Sequence, residues 1–317
     1  MRGWWQDLTD LVLPAECGGC GRPRAVLCAE CRAALIGAAP CRVRPVPEPA
    51  GLPAVHAAAP YTDEVRAALL AHKERGALGL AAPLGAALAG AVRAALEAAR
   101  RPGPVGRPVA PQGRLRRGNG EAGCEREWLE HGGESVPGTG PGDGPVLLVP
   151  VPSARRTVRA RGHDPARRIA LAAAGELRRT GTPARVLGVL RQRRAVADQS
   201  GLNSRQRLDN LAGALEVVVG GARLLAEGGR VVLVDDLMTT GASLTEAARA
   251  LRVARAAPEG VYAGQETPEL PDLLELPELP EVDGRIVGRG LVRGKHGDTV
   301  CSAVVAAPPD AFEINRN

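Results

Sequence analysis

The stretch "RVVLVDDLMTTGASLTEAARAL", Arg230 to Leu251, limits the fold more than any other part of the chain. Val231, Val232, Leu233 and Val234 form an apolar, β-branched-rich run of strand length, the pattern of a strand covered on both faces. Strands of that kind belong to parallel sheets flanked by helices. Asp235 and Asp236 follow where the strand should emerge. Thr239, Thr240 and Gly241 read as a loop, with Gly241 free to adopt a positive φ. Ser243 and Glu246 have capping-box spacing ahead of an Ala/Leu/Arg helix. A strand, a polar loop and a helix N-terminus at the carboxyl edge of a parallel sheet form a ready anion site.

The rest of the chain repeats this grammar. "PVLLVPVPS" reads as a buried strand, followed by a helix at about 164–179. "ARVLGVL", "LEVVV" and, near the end, "TVCSAVVAA" read as further strands. Alternation of this type predicts an α/β fold with a parallel, helix-flanked sheet. "YTDEVRAALLAHKERG" predicts a helix capped by Thr62 with Val65 and Leu69 inward. Leu84, Leu88, Val92 and Leu96, at i, i+4 spacing, predict an amphipathic helix. Residues 76–92 lack charge, yet the run contains Pro83 and falls short of a membrane span. Aromatic residues are 2% of the chain, so the core must be built from Ala, Val and Leu.

Two segments break the pattern. In residues 102–145, 19 of 44 are Gly or Pro, too few apolar groups to offset ordering entropy, and a disordered insertion is expected. Residues at about 258–298 form a second irregular insertion. Within it, 259–283 hold eight acidic residues and no basic one, and the prolines forbid a long helix. The expected organisation is a short amphipathic helix at 1–13 (Trp4, Trp5, Leu8, Leu11, Val12), a cysteine module at 14–45, and an α/β domain at 55–317 carrying both insertions. The N-terminus has acids and no apolar h-region, unlike a signal peptide, so a cytoplasmic protein is expected.

Cys17, Cys20, Cys28 and Cys31 make "CGGCGRPRAVLCAEC", a C-x2-C-x7-C-x2-C array. Paired C-x2-C turns present two thiolates each, and two such turns complete a tetrahedral S4 zinc site. Free thiols or disulfides are the alternative, the latter disfavoured in a reducing compartment. With all four positions cysteine, the expected site is a closed, structural zinc ribbon. Cys301, in the last strand, reads as a small buried hydrophobe. Cys41 and Cys124 receive no role.

Charge is unevenly distributed. Residues 153–207 contain fourteen Arg against Asp164, Glu176 and Asp198, an excess that favours a polyanionic ligand. A solvated basic face gives the same count. All but two of the 41 basic residues are Arg, a bias that fits a GC-rich genome and weakens arguments from arginine counts.

Three readings compete for "VVLVDDLMTTGAS". A Walker B strand requires a G-x4-G-K-[ST] partner, and the chain's one Gly-Lys pair, Gly294-Lys295, precedes His296. A structural strand with two solvated aspartates is the second. The third is a phosphoribosyl pyrophosphate site, because Val231–Leu244 resembles the type I phosphoribosyltransferase signature of a hydrophobic run, two acids and a Thr/Gly/Ser loop. The cysteine array with "YTDEVRAALLAHKERG", "VLLVPVPSARRTVRARGHD", "QSGLNSRQRLDNLAGAL" and "VVLVDDLMTTGASL" resembles, in order, the ComF family. That family is implicated in natural competence and DNA uptake and is described as amidophosphoribosyltransferase-like. The closing "FEINRN" resembles actinobacterial members.

The resemblance implies a type I phosphoribosyltransferase-like fold behind a zinc ribbon, and it implies roles. Asp235 and Asp236 would meet the ribose 2′- and 3′-hydroxyls, directly or through Mg²⁺. Thr239, Thr240, Gly241, Ala242 and Ser243 would wrap the 5′-phosphate. Val151, Pro152, Ser153 and Ala154 correspond to the pyrophosphate loop. Arg155, Arg156 and Arg161 lie on the segment after it, where guanidinium forks would clamp phosphate oxygens. Lys73 matches the lysine of a family Lys-aromatic-Arg-Gly block, with Glu74 in place of the aromatic; a surface helix charge explains it equally well. Gln199, Arg205, Arg207 and Asn210 match a further block and read otherwise as a helix-face hydrogen-bonding set. The family's aromatic-Asn-Gln triplet is replaced here by His163-Asp164-Pro165, where Asp164 as helix N-cap and Pro165 at the first helical position suffice as an explanation.

Two functional classes follow. As an enzyme, the chain would transfer ribose 5-phosphate to a nucleophile, with structural Zn²⁺ in the ribbon and Mg²⁺ alongside phosphoribosyl pyrophosphate. As an adaptor, it would bind a phosphorylated ligand or single-stranded DNA, in company with a DNA-uptake helicase, without catalysis. Scarcity of aromatic side chains argues against base stacking as the main mode of DNA contact.

Overall fold

A computed structural model describes residues 16–100, 144–194, 196, 203–226, 228–256 and 300–316. The expected helix at 1–13 and the body of both insertions lie outside the described residues. Eight strands are described: β1 (Cys41–Val43), β2 (Val55–Pro60), β3 (Val146–Pro150), β4 (Ala184–Val186), β5 (Leu190–Gln192), β6 (Leu215–Val217), β7 (Arg230–Leu237) and β8 (Cys301–Ala307). The helices are α1 (Ala29–Ile36), α2 (Asp63–Glu74), α3 (Ala81–Arg100), α4 (Arg155–Arg161), α5 (Pro165–Arg179), α6 (Ser204–Leu211), α7 (Gly221–Ala226) and α8 (Ala242–Ala256).

Six strands form one sheet in the order β1-β2-β8-β7-β3-β4, parallel throughout except for the β1–β2 pair. The fold is therefore α/β with a mostly parallel sheet, as the buried apolar runs predict. β3, β7 and β8 are covered on both faces; β3 is apolar throughout, β8 is interrupted by the buried Ser302, and β7 is apolar from Val231 to Val234. α3 and α5 bury Leu84, Leu88, Val92, Leu96, Ile169 and Leu177 on one face, with Val232 and Val234. α8 buries Ala247, Ala248 and Leu251 on the other, with Val231 and Leu233. The near absence of aromatics is met by close approach. A Cβ on Gly85 of α3 would stand 2.4 Å from the Ala172 Cβ of α5.

α3, with the short 3-10 turn before it, is the one described helix long and apolar enough to cross a membrane, yet its apolar window is 56% buried inside the fold. It is accounted for as the central core helix of an α/β sheet.

Two strand expectations need correction. "ARVLGVL" does not form one strand, because the chain leaves the sheet after Val186 and resumes as β5. "LEVVV" supplies β6, which pairs antiparallel with β5 in a separate two-stranded sheet. Their half-polar burial patterns differ from those of the central strands, and the alternation heuristic does not separate the two kinds.

The helix before β3 and the helix at Pro165–Arg179 stand where expected. Asp164 is the N-cap of α5, its Oδ1 accepting the Arg167 N–H at 3.1 Å, and Pro165 occupies the first turn. Thr62 stands at the N-cap of α2 but makes no side-chain capping bond. The segment Arg155–Arg161 is a short helix closed by Gly162 at φ 75°.

Candidate functional site

The helix after β3 and the helix after β7 cover opposite faces of the sheet and lead to strands on opposite sides, β4 and β8. The carboxyl ends of β3 and β7 therefore flank a topological switch point, where the diverging loops leave a crevice. The two strands are in direct register there, with Pro150 opposite Val234 and the Val151 N–H donating to the Val234 carbonyl at 2.9 Å.

A cavity opens at the end of β7, lined by Asp235 and by the chain from Leu237 to Leu244. Thr239, Thr240, Gly241, Ala242 and Ser243 thus gather around one space with Asp235 at its wall. Gly241 has φ 75°, the left-handed turn that swings the chain from strand to helix, and α8 begins at the next residue. The first N–H groups of α8 have no partner within the helix and face this turn.

The two aspartates divide by the alternation of the strand. Asp235 is half-buried beside the cavity and accepts the Asp236 N–H at 2.8 Å. Asp236 is buried on the α2 side, where the Lys73 ammonium lies 3.0 Å from Oδ2 and 3.4 Å from Oδ1. Burial and the neighbouring Asp236 charge push the Asp235 carboxyl well above its ordinary value, against the pull of Lys73. Burial lowers the Lys73 ammonium, but Asp236 and Asp235 outweigh it and hold it above its ordinary value. Lys73 is therefore one half of an ion pair 163 residues apart in sequence.

The loop Val151–Ala154 runs off β3 beside this pair. The Ser153 N–H and Oγ reach Asp164 at 3.4 and 3.5 Å, so the cap of α5 also braces the loop. Arg156 is exposed on α4. The side chain of Arg155 lies outside the described residues. Arg161 pairs with Glu74, Nε to Oε2 at 3.0 Å, which gives the glutamate in the aromatic position a partner. His163 sits with its two ring nitrogens each 3.2 Å from a carbonyl, of Arg161 and His72. The α2 terminus and the α4 segment are joined by these contacts.

One sequence expectation fails here. Glu246 does not form a capping box with Ser243. It is 4% exposed and turned inward, where Oε1 accepts the Leu215 N–H at 2.9 Å and the carboxylate grips Arg249 at 2.7 and 2.8 Å. Arg249 in turn donates to the Leu215 carbonyl at 2.9 Å. The pair binds both backbone groups of Leu215, the first residue of β6, and ties the small sheet to α8. The i, i+3 spacing of Glu246 and Arg249 is a signal for that pair; its strand partner has none in the sequence.

The sequence places Arg207 either in a block shared with the ComF resemblance or in a helix-face hydrogen-bonding set. In the fold its Nη1 donates to Thr239 Oγ1 at 3.4 Å. Arg205 is exposed and Asn210 half-buried on the same helix; Gln199 lies outside the described residues.

At the N-terminal end of the domain, the sulfur atoms of Cys17, Cys20, Cys28 and Cys31 lie within 4.8 Å of one another. A tetrahedron of Zn–S bonds has S···S edges of about 3.8 Å, so these four fit a zinc ion. The first pair forms a tight turn, the Gly21 N–H donating to the Cys17 carbonyl at 2.8 Å. The second pair stands at the start of α1 rather than on a second hairpin. Burial opposes ionisation of Cys17, but the N–H groups of Cys20, Cys28 and Gly19 prevail and bring its thiol down to about 6. Burial pushes Cys31 up. Cys17, Cys20, Cys28 and Cys31 are not joined by disulfides. Cys301 is 3% exposed, and burial pushes its thiol up to about 11, as expected of a core residue. Comparison of the chain with protein-family models and with curated proteins finds no match.

Proposed function

We propose that the cavity at the carboxyl edge of β7 binds phosphoribosyl pyrophosphate, and that the chain is a ComF-like phosphoribosyltransferase of type I phosphoribosyltransferase fold, acting in the cytoplasm in DNA uptake. The observation that supports this most is the convergence of Asp235 and Thr239–Ser243 on one cavity at the switch point of a parallel sheet.

In this reading the 239–243 loop takes the 5′-phosphate with hydroxyls and the N–H groups opening α8. Asp235 and Asp236 take the ribose diol, and the backbone of Val151–Ala154 takes the pyrophosphate. Mg²⁺, a hard cation suited to carboxylate and phosphate oxygens, would neutralise the leaving group. The bond from the anomeric carbon to pyrophosphate oxygen breaks and a bond to the acceptor nucleophile forms. Asp235, at the cavity wall, would offset positive charge developing on the sugar once binding with Mg²⁺ has displaced its proton. Lys73 balances Asp236, so the site does not carry two uncompensated carboxylates.

A second reading rests on Arg156, Arg159, Arg167 and Arg168, all exposed on α4 and α5 beside the Val151–Ala154 loop. They favour an adaptor that binds single-stranded DNA through its phosphates. Calorimetry with phosphoribosyl pyrophosphate and Mg²⁺, on wild type and an Asp235→Asn/Asp236→Asn variant, tests the first reading. Absence of wild-type binding, or equal binding by the variant, would sink it. Binding without pyrophosphate release across a panel of bases and amines favours the adaptor, as does salt-dependent DNA binding that survives the double substitution.

A further inference from the structure

α6 is inserted between β5 and β6, outside the main sheet, and lies along the candidate phosphate loop. Arg207 and Leu211 are one helical turn apart on the same face. Leu211 packs with Ala242, the residue that opens α8, while Arg207 Nη1 reaches Thr239 Oγ1 at 3.4 Å. One face of α6 thus contacts both ends of the 239–242 turn.

The Arg207 guanidinium is incompletely satisfied. Its Nε is shielded from solvent and has no hydrogen-bond acceptor. Among the described residues no carboxylate pairs with it, whereas Lys73 and Arg161, on the opposite side of the site, are held by Asp236 and Glu74. Shielded donors without acceptors are costly, and a planar guanidinium matches the oxygens of a phosphate.

The helix that carries it is firmly anchored. Asn203 and Gln206 form a reciprocal capping box with both bonds at 2.9 Å. Arg194 donates to the Asn210 and Ala212 carbonyls at 2.8 and 3.0 Å and closes the other end. The Glu246–Arg249 pair then holds Leu215, four residues beyond Leu211. A cation so fixed needs little reorganisation when an anion arrives.

We infer that Arg207 is a further binding residue of this pocket, whose guanidinium meets the phosphate group of the sugar held by the Thr239–Ser243 loop; the inference rests on the ribose-phosphate reading above. The small β5–β6 sheet with α6 then supplies a ligand contact from outside the main sheet, and it makes the pocket selective for phosphorylated over unphosphorylated sugars.

The test measures binding of ribose 5-phosphate and of inorganic pyrophosphate to wild type, Arg207→Ala and Arg207→Lys. Loss of a charged hydrogen bond predicts a fall in ribose 5-phosphate affinity of about 10- to 100-fold for Arg207→Ala, and less for Arg207→Lys, which keeps the charge. Pyrophosphate, bound at the Val151–Ala154 loop, should stay within about twofold of wild type in both. Guanidinium ion added to the Arg207→Ala protein should restore part of the lost affinity, a rescue that a purely structural role does not predict. Wild-type affinity of Arg207→Ala for ribose 5-phosphate overturns the inference and leaves the ribose-phosphate reading standing. Equal loss of both ligands in both variants overturns it in favour of a structural role. A wild-type protein that binds neither ribose 5-phosphate nor phosphoribosyl pyrophosphate overturns both.

Discussion

Replacing Glu246 tests whether the small β5–β6 sheet is fastened to the main body by one buried ion pair. Its side chain is 5% exposed and that of Arg249 is 41% exposed. In Glu246→Ala the Leu215 N–H loses its acceptor, a cost of about 1–3 kcal/mol. The lost contact with Arg249 adds no more than about 1 kcal/mol, because that guanidinium rehydrates at the surface. The expected destabilisation is about 1–4 kcal/mol, whereas Glu246→Gln keeps an acceptor for Leu215 and should cost about 1 kcal/mol or less. Burial raises the Glu246 carboxyl, but Arg249 and the Leu215 and Gly213 N–H groups outweigh it and hold the carboxyl below its ordinary value. A depressed carboxylate stabilises the fold above its unfolded pKa, and that stabilisation disappears as pH falls through the folded value. Wild type should thus lose this increment on acidification, and Glu246→Gln should lack that part of the pH dependence. Urea unfolding across acid pH, with hydrogen exchange at the Leu215 amide, reads both effects. A Glu246→Ala protein within about 0.5 kcal/mol of wild type, with Leu215 still protected, would refute the argument.

Three further outcomes follow from the site. Lys73→Met leaves Asp236 buried without its cation and should destabilise the protein by about 2 kcal/mol, allowing for the partial exposure of Lys73; adding Asp236→Asn should recover much of this in a double-mutant cycle. Because Asp235 is held well above its ordinary value, Mg²⁺-dependent binding of phosphoribosyl pyrophosphate should release protons and strengthen as pH rises through that value. Calorimetry in buffers of different ionisation heat would detect the protons, and their absence would contradict the assignment. Metal analysis should find about one zinc per chain, lost in Cys28→Ser together with thermal stability; wild type purified with no bound metal would refute the site.

Much of the fold follows from local pattern. A strand buried on both faces favours apolar side chains at nearly every position, so β3, the Val231–Val234 run of β7 and β8, broken only by Ser302, announce themselves, and helix α3 shows its four-residue apolar spacing. The cysteine array is equally readable, because ligand identity and turn spacing are properties of the chain alone. The residues that emerge at the end of β7 are legible for the same reason: polar groups after a buried strand must lie at its exit. Partnerships between distant residues are not. Lys73 finds Asp236, Glu74 finds Arg161 and Glu246 finds Leu215 only after the sheet sets β7 beside β3 and packs α2 and β6 around them. Likewise, β5 and β6 resemble sheet strands until their half-polar faces choose each other. Sequence by itself determined the central buried strands, the long amphipathic helices and the polar turn at the end of β7, since those follow from side-chain chemistry repeated at short range. Tertiary structure decided which charges meet and which cation faces the loop, since those follow from strand order and helix placement, which no local pattern encodes.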